Sequence, residues 1–459
     1  MSLDLASQVL ELVRAAGLTG EADVYVERET FALTRFANSF IHQNVADDTT
    51  TVWLRLHADG RTVATSTTNT TPDGLRTLVS NSAAAVKHAP ADPGWPGLTP
   101  PAPLAGEPGF DEATADADPA ERAERVRAFV AATGGLTAAG YCRTRRWEVS
   151  YANTAGQAVT SRSTEAAIDG VARHQGSDGV ARQASVRLAD LDGALLGTRA
   201  AAKARAGVDP VELPPGRYEV VFEPTAVADL LENLAIWGFN GKALAERQTF
   251  VELGAAQFDP SVTIVDDPFA SGSPGLAFDA EGTPKRRLVL VDAGVTTAVV
   301  HDRRTAKLLG GDAVSTGHAL LGGGGLGAIP VNPGLLPGTG SSPGAGDNPV
   351  VDPAAAGLIG AVERGLLVTD LWYTRVLDPK TLAMTGLTRN GVWLIEDGKV
   401  AAPVQNLRFT QSYPQALRPG AVKAIGPVAV VLPGELVPRW SRAPALHLAE
   451  WNFTGNASG

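Results

Sequence analysis

Cysteine occurs once in the 459 residues and methionine twice. A single thiol, Cys142, excludes an intrachain disulfide. Of the roles left to it (nucleophile, ligand or small buried apolar residue), burial suits a free cysteine best. A positive surplus is also missing: 39 Lys and Arg stand against 49 Asp and Glu, a net charge of −10. An acidic chain is a poor match for nucleic acid, whose phosphates need a basic surface, and for an anionic membrane. No run of about 18 apolar residues offers a membrane span. The seven histidines, His42, His57, His88, His174, His301, His318 and His447, are scattered. None forms H-x-x-x-H or H-E-x-x-H or pairs with a C-x-x-C, so zinc-site spacing is absent. A nucleophile elbow is missing too, since Gly272-Ser273-Pro274-Gly275 lacks the G-x-S-x-G spacing.

What is present begins with MSLDLASQVLELVRAAG, which predicts an amphipathic helix with Leu5, Val9 and Leu12 on one face rather than a signal peptide. The sequons at Asn69, Asn452 and Asn456 then carry no weight, and the cytoplasm is the expected compartment. At this length two domains are expected, 1–210 and 211–459. In the first, strands are expected at Ala22–Glu27, Phe31–Phe40, Thr49–His57 and Thr62–Thr67, broken at Asp47-Asp48 and at the hairpin pair Asp59-Gly60. Helices are predicted over Pro72–Lys87, Pro119–Ala132 and Leu191–Ala206. Between the first two, Pro90–Pro108 holds seven prolines and three glycines and reads as a surface strap. A meander from Thr137 to Leu188, rich in Thr, Ser, Arg and Gln, is expected to turn one face to water or to a wide polar cleft.

The second half is organised around Glu223–Phe250, which follows the strand-like GRYEVVF. Val227, Leu230, Leu231, Leu234 and Gly238 recur at helical spacing, and Pro224 suits the first helical position. A helix over Ala226–Glu246 is expected, with Glu232, Asn233 and Trp237 where metal ligands and a base would be sought. Further on come strands Arg287–Asp292 and Val295–His301 about Ala293-Gly294, a helical turn at Thr305–Leu309 and a helix over Pro353–Arg364. Strand Leu366–Leu371 follows, with turns at Arg389–Gly391 and Glu396–Lys399, then strands Val428–Leu432 and His447–Phe453. Gly322–Pro349 is so rich in glycine and proline that a mobile loop is expected. Its G-x-G-x-x-G lacks the strand and helix a dinucleotide site needs. Asp266, Asp267, Asp279 and Glu281 form an acidic group that reads most simply as solvated turn residues, and His318 as a loop histidine.

FDAEGTP at Phe278–Pro284, Leu308-Leu309-Gly310 with Ser315–His318, GLLVTDL at Gly365–Leu371 and GVWLIEDGKVAAPV at Gly391–Val404 together resemble the TldD/TldE (PmbA) peptidase family. ADVYVE and RFANSFIHQ (Arg35–Gln43) resemble its N-terminal domain. The resemblance implies an α+β chain, with N-terminal helices on a largely antiparallel sheet and a mostly β C-terminal domain around a central helix. In that family the TldD-type subunit carries H-E-x-x-x-H on this helix and a late cysteine, which together bind zinc. Here Glu232 and Trp237 fall at the two histidine positions and Asn233 at the glutamate, and no cysteine follows Cys142.

The resemblance is therefore to the TldE/PmbA-type subunit, with no metal or catalytic residue of its own. It implies a heterodimer with a TldD-type, zinc-bearing partner that cleaves short or unfolded peptides, including precursor leader segments. His318, Asp279, Glu281 and Arg389 are candidate substrate or interface contacts, and open strand edges in the second half would suit a subunit interface. An alternative is a stand-alone homodimer that binds peptides or a natural product and has lost peptidase chemistry.

Overall fold

In the first half, alternate strand residues pack against helices on one face of a sheet, and part of the other face meets the second half of the chain. This is seen in a computed structural model describing residues 2–322, 325–339, 348–434 and 439–457. Helix α1 (Ser2–Ala15) leads to β1 (Glu21–Ala37), β2 (Phe40–Ala58) and β3 (Arg61–Thr67), followed by α2 (Pro72–Val86). After the Pro-rich strap come α3 (Glu112–Ala115), α4 (Pro119–Ala132), β4 (Thr137–Asn153), β5 (Ala158–His174), β6 (Ser177–Ser185) and α5 (Gly193–Ala206). The strands form one antiparallel sheet in the order β3-β2-β1-β4-β5-β6.

Ala22, Val24, Val26, Val52, Leu54 and Leu56 pack against α1 and α2. Cys142, Ala166, Ile168 and Ala172 pack against α4 and α5. Capping fixes the helix starts: Thr71 caps α2, and Asp118 with Glu121 forms a reciprocal capping box on α4. On α1 the buried stripe is Ala6, Val9, Leu10 and Val13, so Leu5 and Leu12 lie on its flanks rather than at its centre.

Strands β1 and β2 run unbroken past Asp47-Asp48. Those acids sit opposite Phe31 and Thr30, and Asp48 is held by Arg28. The reversal falls instead at Asn38-Ser39, both at positive φ, as a tight hairpin requires. The meander's polar face is not in water along its whole length. Tyr25, Val149, Tyr151 and Val159 are covered by Ala277 and Phe278 of the second half, and Trp147 meets Trp440 edge-on at 5.4 Å. Charges on this face pair among themselves, Arg143 with Glu165 at 2.7 Å and Arg145 with Glu165 at 3.7 Å.

The second half contains β7 (Gly216–Phe222), α6 (Pro224–Asn233), a π turn (Leu234–Gly238) and α7 (Gly241–Ala245). Then come β8 (Ile264–Asp266), β9 (Leu288–Asp292), β10 (Val295–Thr296), α8 (Arg303–Leu309), β11 (Pro333–Leu335) and α9 (Ala356–Ile359). The chain ends in β12 (Arg364–Asp378), β13 (Ala383–Glu396), β14 (Lys399–Pro403), β15 (Leu407–Ser412), α10 (Tyr413–Ala416), β16 (Val422–Pro433) and β17 (Trp440–Asn456). Pairing runs β7-β12-β13-β15-β17 and returns to β7, so the ladder closes on itself. One face of this ring, with Phe222, Leu366, Val368, Phe409 and Trp451, packs on α6. The architecture is α+β, with helices on an antiparallel sheet followed by a β-rich half around a central helix.

Four expectations change. The segment expected as a mobile loop over 322–349 is anchored in its middle: Ala328 and Ile329 are buried, and Pro333–Leu335 inserts between β8 and β17. Residues 323–324 and 340–347 of that segment lie outside the described residues. The helix expected over Pro353–Arg364 shrinks to Ala356–Ile359, because Arg364 already opens β12. Arg389–Gly391 is not a turn but an irregularity inside β13, with Asn390 and Gly391 at positive φ. The strand expected over Val295–His301 forms a ladder only at Val295–Thr296.

Candidate functional site

Helix α6 starts where Glu223 is fastened. Its carboxylate takes the Lys203 ammonium and accepts the Asp352 N–H at 2.8 Å. Pro224 occupies the first turn. The apolar stripe Val227, Leu230, Leu231 and Leu234 goes to the core. The helix does not run on to Glu246: the Phe239 N–H bonds Leu234 O at 2.8 Å in π geometry, and Asn240 then caps α7 as a new helix. A π turn inserts one residue and re-aims the side chains that follow, a distortion often found at functional sites.

The opposite side of α6 and its π turn, with Asp229, Glu232, Asn233 and Trp237, lines a cleft of about 560 Å³. Across from it lie Arg182 of β6, residues 370–376 of β12, and Leu432, Pro433, Gly434 and Ser441. β12 pairs with β7 only through Val368. Beyond that point, residues 369–378 have β13 on one side and no ladder partner on the other among the described residues. The cleft wall is thus a free strand edge, irregular at Tyr373, whose φ is 54°.

Within the cleft, Arg439 donates to the Glu232 carboxylate; Arg439 is buried while Glu232 remains partly open. Asn233 spends its amide on Asp229 O at 3.0 Å. Asp370 is held by Arg182 and Asn390, each at 3.2 Å. Asp229 accepts the Tyr413 hydroxyl at 2.7 Å and the Thr374 hydroxyl at 2.8 Å. Burial raises its carboxyl to about 7, against the lowering pull of those two hydroxyls. At the rim, Arg389 lies over Trp372 and Arg375 over Tyr373, with guanidinium carbons 4.5 and 4.1 Å from the ring centres.

Three of the residues singled out from sequence, Glu232, Asn233 and Trp237, therefore share one cleft, with Arg389 at its edge. The other three lie elsewhere. His318 is a hydrogen-bonded loop residue, and a buried one, with Nε2 2.9 Å from Asp266 and Nδ1 2.9 Å from the Thr316 hydroxyl. Asp266, Asp279 and Glu281 are not solvated turn residues, since all three are buried. Asp279 accepts N–H bonds from Glu281, Thr283 and Ala319. Glu281 takes Arg55 at 3.1 Å, and Arg55 also grips Asp23 at 2.6 Å. This cluster belongs to the seam between the halves and not to the cleft.

Sequence reading missed Asp229, Thr374, Asp370, Tyr413, Arg182 and Arg439. Only Asp229 had a signal, since it lies three and four residues before Glu232 and Asn233 and so shares their helix face.

A zinc ion takes about four nitrogen, sulfur or oxygen donors. The three motif positions offer one carboxylate already bonded to an arginine, one committed amide and one indole, which has no lone pair to give, while Asp370 is held by Arg182 and Asp229 by two hydroxyls. Among the described residues no three His, Cys, Asp or Glu side chains are grouped to hold a metal. The donor set does not fit zinc.

Residues 215–455 match the family described as the PmbA/TldA metallopeptidase C-terminal domain, and residues 22–86 match domain 1 of the same family. The structure of TldE from Thermococcus kodakarensis superposes with a TM-score of 0.84 at 20% identity, covering 98% of this chain and 100% of that one. A structure from Thermotoga maritima gives 0.80 at 17% identity, covering 98% and 99%. A protein from Methanothermobacter thermautotrophicus named "Metalloprotease" is 30% identical over 99 residues, which span 21% of this chain and 22% of that protein. The fold is of a peptidase-related class in which a helix-backed sheet precedes a β-rich domain. The chain belongs to the PmbA/TldD metallopeptidase family.

Proposed function

We propose that this chain is the metal-free subunit of a two-component zinc peptidase acting on short or unfolded peptides, leader segments of precursors among them. The zinc would reside in a TldD-type partner, and the pair would work in the cytoplasm. One observation carries the reading: at the helix positions where the family resemblance puts a metal motif, an arginine neutralises Glu232 from within the chain. A second cation placed there would be repelled by that guanidinium and would find too few donors. What remains is a built cleft with a free strand edge, suited to hold an extended peptide as an added strand. Walling off water and positioning a segment are contributions a subunit makes without chemistry of its own.

The test is reconstitution. Co-expressed with a TldD-type chain bearing H-E-x-x-x-H, this protein should co-elute with it, and the pair should cleave an unstructured peptide that neither cleaves alone. A chain that elutes only as a homodimer in the partner's presence, with cleavage by the partner unchanged, would favour a stand-alone binding protein.

A further inference from the structure

The carboxylates of the cleft are unequally compensated. Glu232 has Arg439, and Asp370 has Arg182 at 3.2 Å. Asp229 has two hydroxyl donors and, among the described residues, no cationic side chain in ion-pairing range. It nonetheless lines the cleft, where Trp237, half-buried in the π turn after α6, forms part of the wall. Hydroxyls from two different elements, α10 and β12, fix both oxygens, so the carboxylate is oriented and not merely present.

Resting on the reading of this cleft as a peptide site, we propose that it selects peptides carrying an ammonium or guanidinium group, which docks on Asp229.

The chemistry is specific. A cation supplies the charge that two hydroxyls cannot, and a charge-assisted bond is roughly twice as strong as a neutral one. Trp237 in the same wall offers apolar surface to a peptide's aliphatic stems. A bare divalent metal is a poor occupant, because Glu232 and Asp370 are already committed to arginines. In the free protein, burial raises the Asp229 carboxyl to about 7, and a cation beside it favours the ionised form.

The test uses the full chain and blocked pentapeptides, acetyl-Ala-Ala-X-Ala-Ala-amide with X lysine, norleucine or glutamate, together with unblocked penta-alanine amide, read by calorimetry. The lysine peptide, the free-amine peptide or both should bind roughly ten-fold tighter than norleucine, the arm that gains identifying the side chain or the terminus as the source. Asp229→Asn should close that gap to under about two-fold. Equal binding of lysine, free-amine and norleucine peptides by the wild type overturns the inference and leaves the subunit reading standing. A preference that survives Asp229→Asn also overturns it. Failure of every peptide to bind the lone chain overturns the inference, and the subunit reading is then decided by reconstitution. The wild-type comparison needs no variant, so it stands even if Asp229→Asn misfolds.

Discussion

Arg439 reaches Glu232 across 207 residues of sequence, and the two ends of this bond are unequally buried: the Arg439 side chain is 1% exposed and the Glu232 side chain 23%. Unequal burial makes the pair asymmetric to mutation. Glu232→Ala strands a guanidinium that water cannot reach and should cost about 3 kcal/mol. Arg439→Met leaves a carboxylate that can still hydrate at the cleft surface, and about 1 kcal/mol is expected. Urea unfolding of the two variants checks the order, and an equal or reversed cost would mean the arginine is not held by Glu232.

Asp229 should give the fold a pH signature. Its carboxyl titrates near 4 when unfolded and at about 7 when folded. Across that window the folded chain holds a proton that the unfolded chain has released, so this group's contribution to stability falls as pH rises from about 4 to about 7. Glu232 with Arg439, Asp370 with Arg182, Tyr413, Tyr373, Arg375 and, at the rim, Arg389 are the other ionisable groups around the cleft. The difference in stability between wild type and Asp229→Asn, followed by urea unfolding at several pH values, should move against the wild type as pH rises through the window. A flat difference would show that the carboxyl is not perturbed.

Arg55 fastens the halves together, bonded to Asp23 of β1 and to Glu281 of the second half. Both carboxylates are almost fully buried, so Arg55→Met leaves two uncompensated acids at the seam. A loss of about 3–5 kcal/mol is expected, with earlier thermal unfolding. Unchanged melting would mean the seam is held by its apolar contacts alone, such as Tyr25 against Phe278.

Cys142 should be silent. It is fully buried under α4, and burial pushes its thiol up to about 12. Native protein should resist a thiol reagent for hours and react once unfolded, with one thiol counted. Rapid labelling under native conditions would show that the α4 layer opens.

Much of the fold was legible because local chemistry agreed with it: Asp59-Gly60 turns, the helices expected from Pro72 and Pro119 begin there, and the alternation of Ala22–Glu27 assigns one face to helices. Misreadings arose where distant partners decide. Asp47-Asp48 looked like a break because the pairing with Arg28 is invisible in sequence. The glycine-rich run hid Pro333–Leu335, which is ordered only by β8 and β17 on either side. No composition marks a π turn. In the site, Asp229 could be read from helical spacing, whereas Arg439 and Tyr413 come from remote stretches that only the fold brings to α6.

The central claim is that this chain brings a cleft and no metal to peptide hydrolysis. Zinc counted by mass spectrometry in the purified chain and in its complex with an H-E-x-x-x-H partner, alongside cleavage of an unstructured peptide, tests it most directly. The account predicts no stoichiometric zinc and no cleavage for the chain alone, with both appearing in the complex and vanishing when the partner's histidines are replaced. One zinc per lone chain, lost on Glu232→Ala together with peptide cleavage, would contradict it.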